Sequence, residues 1–267
     1  MSRLCLPVAL VAVFNLTACG SLLSSTTEEL GQNLTGVMLN HPDPETVAAG
    51  MPSYLLLQEA LLKQQPDNLN LLLSTATLYR SYAGLLENDA RQAVLSDKAL
   101  NFSFSAACLQ KSEFCQLQKL PYPEFEKIIQ SSHHSDLPAL YGLGASWALW
   151  IQNHKSDWNA IAQLAQVKAI MQQILKLEES YEHGAAHLYL GVLASLLPDA
   201  MGGNLQGAKA HFEQALKLSK GKNLMVSVLY AKHYARMSFD RKLHDRLLNQ
   251  VLTTNIAQDN LTLINTL

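Results

Sequence analysis

Leu205-Gln206-Gly207-Ala208-Lys209-Ala210-His211-Phe212-Glu213-Gln214-Ala215-Leu216-Lys217-Leu218 is the stretch on which the fold turns. Leu205, Ala208, Phe212, Ala215 and Leu216 recur at helical spacing on one stripe, while Gln206, Lys209, Glu213 and Lys217 face the other way. Asn204 stands where a helix cap belongs, and Gly221 follows the end. A helix striped in this way must bury its apolar side against a partner. An internal repeat supplies one. Val167-Lys168-Ala169-Ile170-Met171-Gln172-Gln173-Ile174-Leu175-Lys176-Leu177 matches Ala208 to Leu218 at six of eleven positions. Upstream of each lies a matching helix, Leu140-Tyr141-Gly142-Leu143-Gly144 against His187-Leu188-Tyr189-Leu190-Gly191.

Outward from this pair the pattern stays helical, with few alternating β-branched runs, so the fold class is all-α. Asp43-Pro44 reads as a cap with proline at the first helical position, opening a short helix that ends near Gly50-Met51-Pro52. Ser53 then caps a second helix, which runs to Gln65 and stops at Pro66-Asp67-Asn68. Further helices are expected over 69–86, 88–109, 137–153, 157–178, 182–197, 205–219, 222–237 and 241–252, with an irregular stretch around Pro121, Pro123 and Pro138. The last dozen residues read as a fraying tail.

The first twenty residues have an export logic. Arg3 is a short positive region, Leu4 to Leu16 are apolar, and Thr17-Ala18 precede Cys19. Leu16-Thr17-Ala18-Cys19 resembles the box cut by lipoprotein signal peptidase, which implies a diacylglyceryl thioether on Cys19. Each buried lipid methylene contributes about 0.8 kcal/mol, so two or more chains anchor stably. An ordinary secretory signal with an incidental cysteine is the plainer alternative. Gly20-Ser21 after the cysteine, with no aspartate, resembles the outer-membrane sorting pattern of enteric bacteria. The expected organisation is a signal peptide over 1–18, a lipidated tether over 19–40, a helical domain over 41–252 and a tail over 253–267.

Once Cys5 is lost and Cys19 is lipidated, Cys108 and Cys115 remain. An oxidising compartment makes a disulfide between them an expectation. Seven residues of continuous helix separate Cα atoms by about 10.5 Å, and a disulfide spans roughly 4.4–6.8 Å. The bond therefore requires a turn at Lys111-Ser112-Glu113; two buried free thiols are the alternative. With 267 residues, 48% hydrophobic and a net charge of −2, the chain can bury a large core and carries no basic footprint for nucleic acid.

The repeated unit resembles the tetratricopeptide repeat: a Leu-Gly step in the first helix, and a small-aromatic-small triplet in the second. Ala208, Phe212 and Ala215 match the triplet, Val167, Met171 and Ile174 copy it loosely, and Leu72, Ala76 and Tyr79 form a fainter unit. Such pairs stack into a short solenoid, leaving a groove or channel. A more particular likeness joins several phrases in order. They are Asp43-Pro44 to Met51-Pro52-Ser53-Tyr54-Leu55, Gln64-Gln65-Pro66-Asp67-Asn68, and Asp136-Leu137-Pro138-Ala139-Leu140-Tyr141 leading to Trp147-Ala148. Then come Glu182-His183-Gly184-Ala185-Ala186-His187 with Leu190-Gly191, Pro198 and Met201-Gly202-Gly203, closing on Ala208, His211-Phe212 and Ala215. Together they resemble the T-component (TatT) lipoproteins associated with TRAP transporters. The resemblance implies a periplasmic all-α subunit pairing with the solute-binding P-component, forming a small homo-oligomer and handling an organic or hydrophobic acid. The cysteine pair and the diverged first repeat depart from that pattern.

Candidate chemistry is sparse. His183 and His187, four apart, have metal-ligand spacing, but the glutamate of a metalloprotease motif is missing and His187 falls on a packing position. It reads as a hydrogen-bonded histidine near the core. His133-His134 read as solvated loop residues. There is no Gly-x-Ser-x-Gly elbow and no phosphate loop, so no catalytic residue, metal or cofactor is assigned. Gly202-Gly203 reads as a positive-φ link or a loop shaped for ligand approach. Trp147, Trp150 and Trp158, with Tyr141 and Tyr189, are either core or channel lining. The ligand or partner candidates are thus Tyr141, Trp147, Trp150, His187, Tyr189, Gly202 and Gly203. A tetratricopeptide scaffold for outer-membrane assembly or pilus secretion is the alternative function, and a lipoprotein hydrolase or metalloenzyme a third.

Overall fold

In a computed structural model the described residues are 33–196 and 203–267, and no strand occurs among them. Helix α1 spans 33–39. There follow α2 (Pro44–Gln64), α3 (Leu69–Leu85), α4 (Asp89–Gln110), a 3-10 segment (Ser112–Lys119), α5 (Tyr122–Gln130), α6 (Leu137–Asn153), α7 (Trp158–Ala162) and α8 (Leu164–Leu177). The chain ends with α9 (Ala185–Ser195), α10 (Leu205–Leu218), α11 (Leu224–Tyr230, continued by a π turn over Ala231–Ala235), α12 (Arg241–Thr253) and α13 (Thr262–Thr266). Each hairpin rests on the next: α3 on α4, α4 on α6, α6 on α8, α8 on α9, α9 on α10.

All nine triplet residues lie in the interior, from Ala76, Ala208 and Phe212 at 1% exposure or less to Leu72 and Tyr79 at 5%. The two repeated hairpins share one close approach. A Cβ added at Gly144 would lie 2.7 Å from Met171, and one at Gly191 would lie 3.2 Å from Phe212. Side-chain absence on the first helix thus makes room for the bulky middle residue of the second. Asp43, Asn68 and Asn204 cap as their positions require, accepting from Glu45, Leu71 and Gly207 N–H. Gly221, at φ 69°, donates its N–H to Leu216 and closes α10.

Several boundaries differ from expectation. Gly50-Met51-Pro52 does not end a helix, and Ser53 is not a cap, because α2 runs on through Pro52. Interior proline costs about 3 kcal/mol; burial of Val47, Met51 and Leu55 along one face offsets that loss. The stretch read as tether is helical over 33–39, and Leu34 and Met38 pack on the α2–α3 core. Packing therefore begins before residue 41. The segment 157–178 divides at Gln163, whose side-chain oxygen accepts the Trp147 indole N–H at 2.8 Å. The helix expected over 222–237 widens into the π turn, which keeps Ala231 and Ala235 buried beside Tyr230.

The C-terminal tail is the largest correction, for it is packed. Leu263 enters the α2–α3 core at 4% exposure. Asn265 accepts the Leu224 N–H at 3.0 Å and donates to Lys222 and Ile256 carbonyls, capping α11 from a distant part of the chain. Asn260 donates its N–H to Asn40 at 2.7 Å. The tail thus ties the last hairpin to the first helices.

Cys108 and Cys115 are joined by a disulfide, with Cα atoms 4.2 Å apart. The turn it needs is made at Lys111, whose extended backbone (φ −151°, ψ 122°) ends α4 and launches the 3-10 segment. Phe114 and Leu117 anchor that segment in the main core. Closing so short a loop stabilises by about 2–3 kcal/mol in the chain-entropy account. Dithiothreitol, or Cys115→Ser, is expected to lower the melting temperature by roughly 5–10 °C at this chain length. An unchanged melt would remove the staple from the stability account.

Candidate functional site

Helices α3, α6 and α9 carry no Lys, Arg, Asp or Glu except Arg80. Helices this poor in charge face other protein on most sides. Arg80 is half-buried, and its guanidinium lies 5.8 Å from the centre of the Tyr141 ring. Its Nη1 reaches the Ser146 hydroxyl at 3.5 Å, and Ser146 in turn accepts from Ser103 at 2.8 Å. No carboxylate pairs with Arg80 among the described residues. Tyr181 and Tyr189 complete the cluster, their rings 5.8 and 6.5 Å from that of Tyr141.

None of the three phenol hydroxyls hydrogen-bonds to a described residue. Burial, reinforced by neighbouring Tyr189 and opposed by Arg80, holds the Tyr141 phenol far above the usual tyrosine range. Burial, then Glu182 and Glu178, pushes Tyr181 up to about 12. Burial raises Tyr189 too, against the pull of Arg80. All three stay protonated at neutral pH. A guanidinium and three phenols then form a shelf of donors awaiting acceptors, bordered by the exposed carboxylate of Glu182.

The residues singled out in the sequence do not form one site. Tyr141 and Tyr189 share the shelf. Trp147 is core, 2% exposed, edge-on to Phe104 and Phe125. Trp150 sits at the surface, donating to Asp97 at 2.7 Å and stacked on His154. Trp158 is 85% exposed. His187 turns inward between Glu179 and His211. His183 does not share its helix face, because α9 starts only at Ala185. Glu182, His183 and Gly184 all take left-handed backbone (φ 48°, 57° and 80°). Only glycine fits the last of the three, because a Cβ at Gly184 would lie 2.7 Å from Leu218. No group of three His, Cys, Asp or Glu side chains converges as metal ligands among the described residues. Gly202 lies outside the described residues, as do Cys19 and the positive φ expected at Gly202-Gly203. Gly203 is half-buried next to the capping Asn204.

Two shelf members escaped the sequence reading, Arg80 and Tyr181. A lone cation in an uncharged helix was the available signal for Arg80; nothing local marked Tyr181. Two hollows among the described residues lie away from Arg80 and the three tyrosines. One is an open shelf along Gln64–Asn70, and the other is a slot of about 10 Å³ between α5 and α8.

No curated protein shows significant similarity to the chain. The TRAP transporter T-component family (TAtT), an accessory component of TRAP transport systems, matches residues 40–267, the packed tail included, and the chain belongs to that family.

Proposed function

We propose that this chain is a periplasm-facing lipoprotein that binds the solute-binding P-component of a TRAP-type system. There it helps handle the organic or hydrophobic acid by binding, without catalysis. The observation that carries this reading is the donor shelf of Arg80, Tyr141, Tyr181 and Tyr189 on the uncharged helices. Tyrosine and arginine are the residue types that dominate protein–protein binding energy, and unpaired donors suit a partner or ligand rich in carboxylates. Ligand transfer then takes place at an interface with the partner or between copies in a homo-oligomer. Cys19 supplies the tether, on the outer membrane by its flanking residues.

The direct test is in-cell cross-linking and affinity purification of the full-length protein from its host. A TRAP solute-binding protein is the expected major partner; its absence, with barrel-assembly or secretin proteins in its place, would overturn the assignment. Globomycin or Cys19→Ala is expected to leave an uncleaved precursor; normal maturation under either would refute the anchor.

A further inference from the structure

A second polar cluster joins Glu179, His187 and His211 end to end. His187 is 7% exposed. Its Nε2 lies 3.1 Å from Glu179 Oε1, and its Nδ1 lies 2.8 Å from His211 Nδ1. Gln214 donates to the same Glu179 oxygen at 3.1 Å.

The atoms restrict where protons can be. A carboxylate only accepts, so His187 Nε2 carries hydrogen. Two facing ring nitrogens at 2.8 Å need one hydrogen between them, neither none nor two. In the neutral arrangement His211 Nδ1–H donates to the His187 Nδ1 lone pair. The outer His211 Nε2 is then a lone pair, with no hydrogen-bond partner among the described residues. One added proton can enter there. The bridging hydrogen then passes from His211 Nδ1 to His187 Nδ1, and the positive charge comes to rest on His187 beside Glu179. Nothing has to move. A second added proton would set two N–H groups head to head, and the rings would have to part.

We infer that Glu179, His187 and His211 form a one-proton relay that also acts as an acid-sensitive joint. It locks the 178–184 turn to α9 and α10, and lets go when doubly charged. The charged groups facing it are consistent with that limit. His211 is held below the usual histidine range by burial, by the charge on His187, and by Lys168 on α8. Entry of the second proton is therefore disfavoured in the folded joint, and stability is lost as pH falls from the ordinary histidine range toward the lowered His211 value. The same turn carries Tyr181 to Tyr141, so opening the joint would withdraw one member of the donor shelf. This inference goes beyond the proposed TRAP role and stands or falls separately from it.

Histidine-selective NMR of the wild-type protein tests it without any variant. The expected result is two distinct macroscopic protonation steps belonging to the cluster as a whole, as befits a coupled pair. His187 shifts are expected to report the first proton even though it enters at His211. Contacts between the Tyr181 and Tyr141 rings should persist through the first step and vanish in the second. In His211→Gln the second step should disappear. Two independent histidines titrating together near pH 6.5, or a Tyr181–Tyr141 contact indifferent to the second step, would each overturn the joint.

Discussion

Phe212→Ala is expected to destabilise the protein by about 3–5 kcal/mol, the largest effect of any single truncation in the last full hairpin. Phe212 is fully buried, stacks on Tyr230 at 5.0 Å, and fills the space that the missing side chain of Gly191 provides. Truncation would leave a void between α9, α10 and α11 that none of the three can close, because Ala208 and Ala215 beside it are already small and buried. The melting temperature should fall on the order of 10 °C. Met171→Ala, at the corresponding position of the preceding hairpin, should cost about 2–5 kcal/mol by the same route. Lys209→Ala, which loses a partly exposed ion pair with Glu213 at 3.9 Å, should move stability by no more than about 0.5 kcal/mol. If Phe212→Ala behaves like the lysine variant, the repeated step of glycine against bulky residue is not what holds the hairpins together.

That pairing explains why so much of the fold was legible. Leu205 to Leu218 and Val167 to Leu177 announce their buried faces through spacing alone, and their caps are local residues with local partners. What stayed hidden depends on contacts far apart in the chain. Pro52 looks like a terminator until Val47, Met51 and Leu55 are seen burying one continuous face. The polar tail looks free until Asn265 is found capping α11. His183 and His187 keep helical spacing in sequence, yet the left-handed backbone from Glu182 to Gly184 puts the helix start between them. The site was legible only in part for the same reason. Tyr141 and Tyr189 were visible as aromatics, but their separation from Trp147 and Trp150 depends on which way α6 turns. Their association with Arg80 depends on α3 lying beside α6.

If the proposed P-component interface is centred on the shelf, Arg80→Ala should lower that affinity by about 30-fold, since truncating a central interface arginine typically removes about 2 kcal/mol or more. The expectation rests on what Arg80 does in the free protein, which is little: one long hydrogen bond to Ser146 and a face of Tyr141. Its loss should leave the melting curve nearly unchanged, which separates a binding effect from unfolding. Arg80→Lys keeps the charge but not the planar fork, so it should recover only part of the affinity. Tyr189→Phe, which removes one phenol donor and retains the ring, should cost about 3- to 10-fold. Trp158→Ala serves as the control, because Trp158 is the most exposed tryptophan and has no part in the shelf. Titration calorimetry with the solute-binding protein recovered by cross-linking would decide the matter. Wild-type affinity in Arg80→Ala, together with lost affinity in Trp158→Ala, would move the interface off α3, α6 and α9 to the face that carries α7, while leaving family membership untouched.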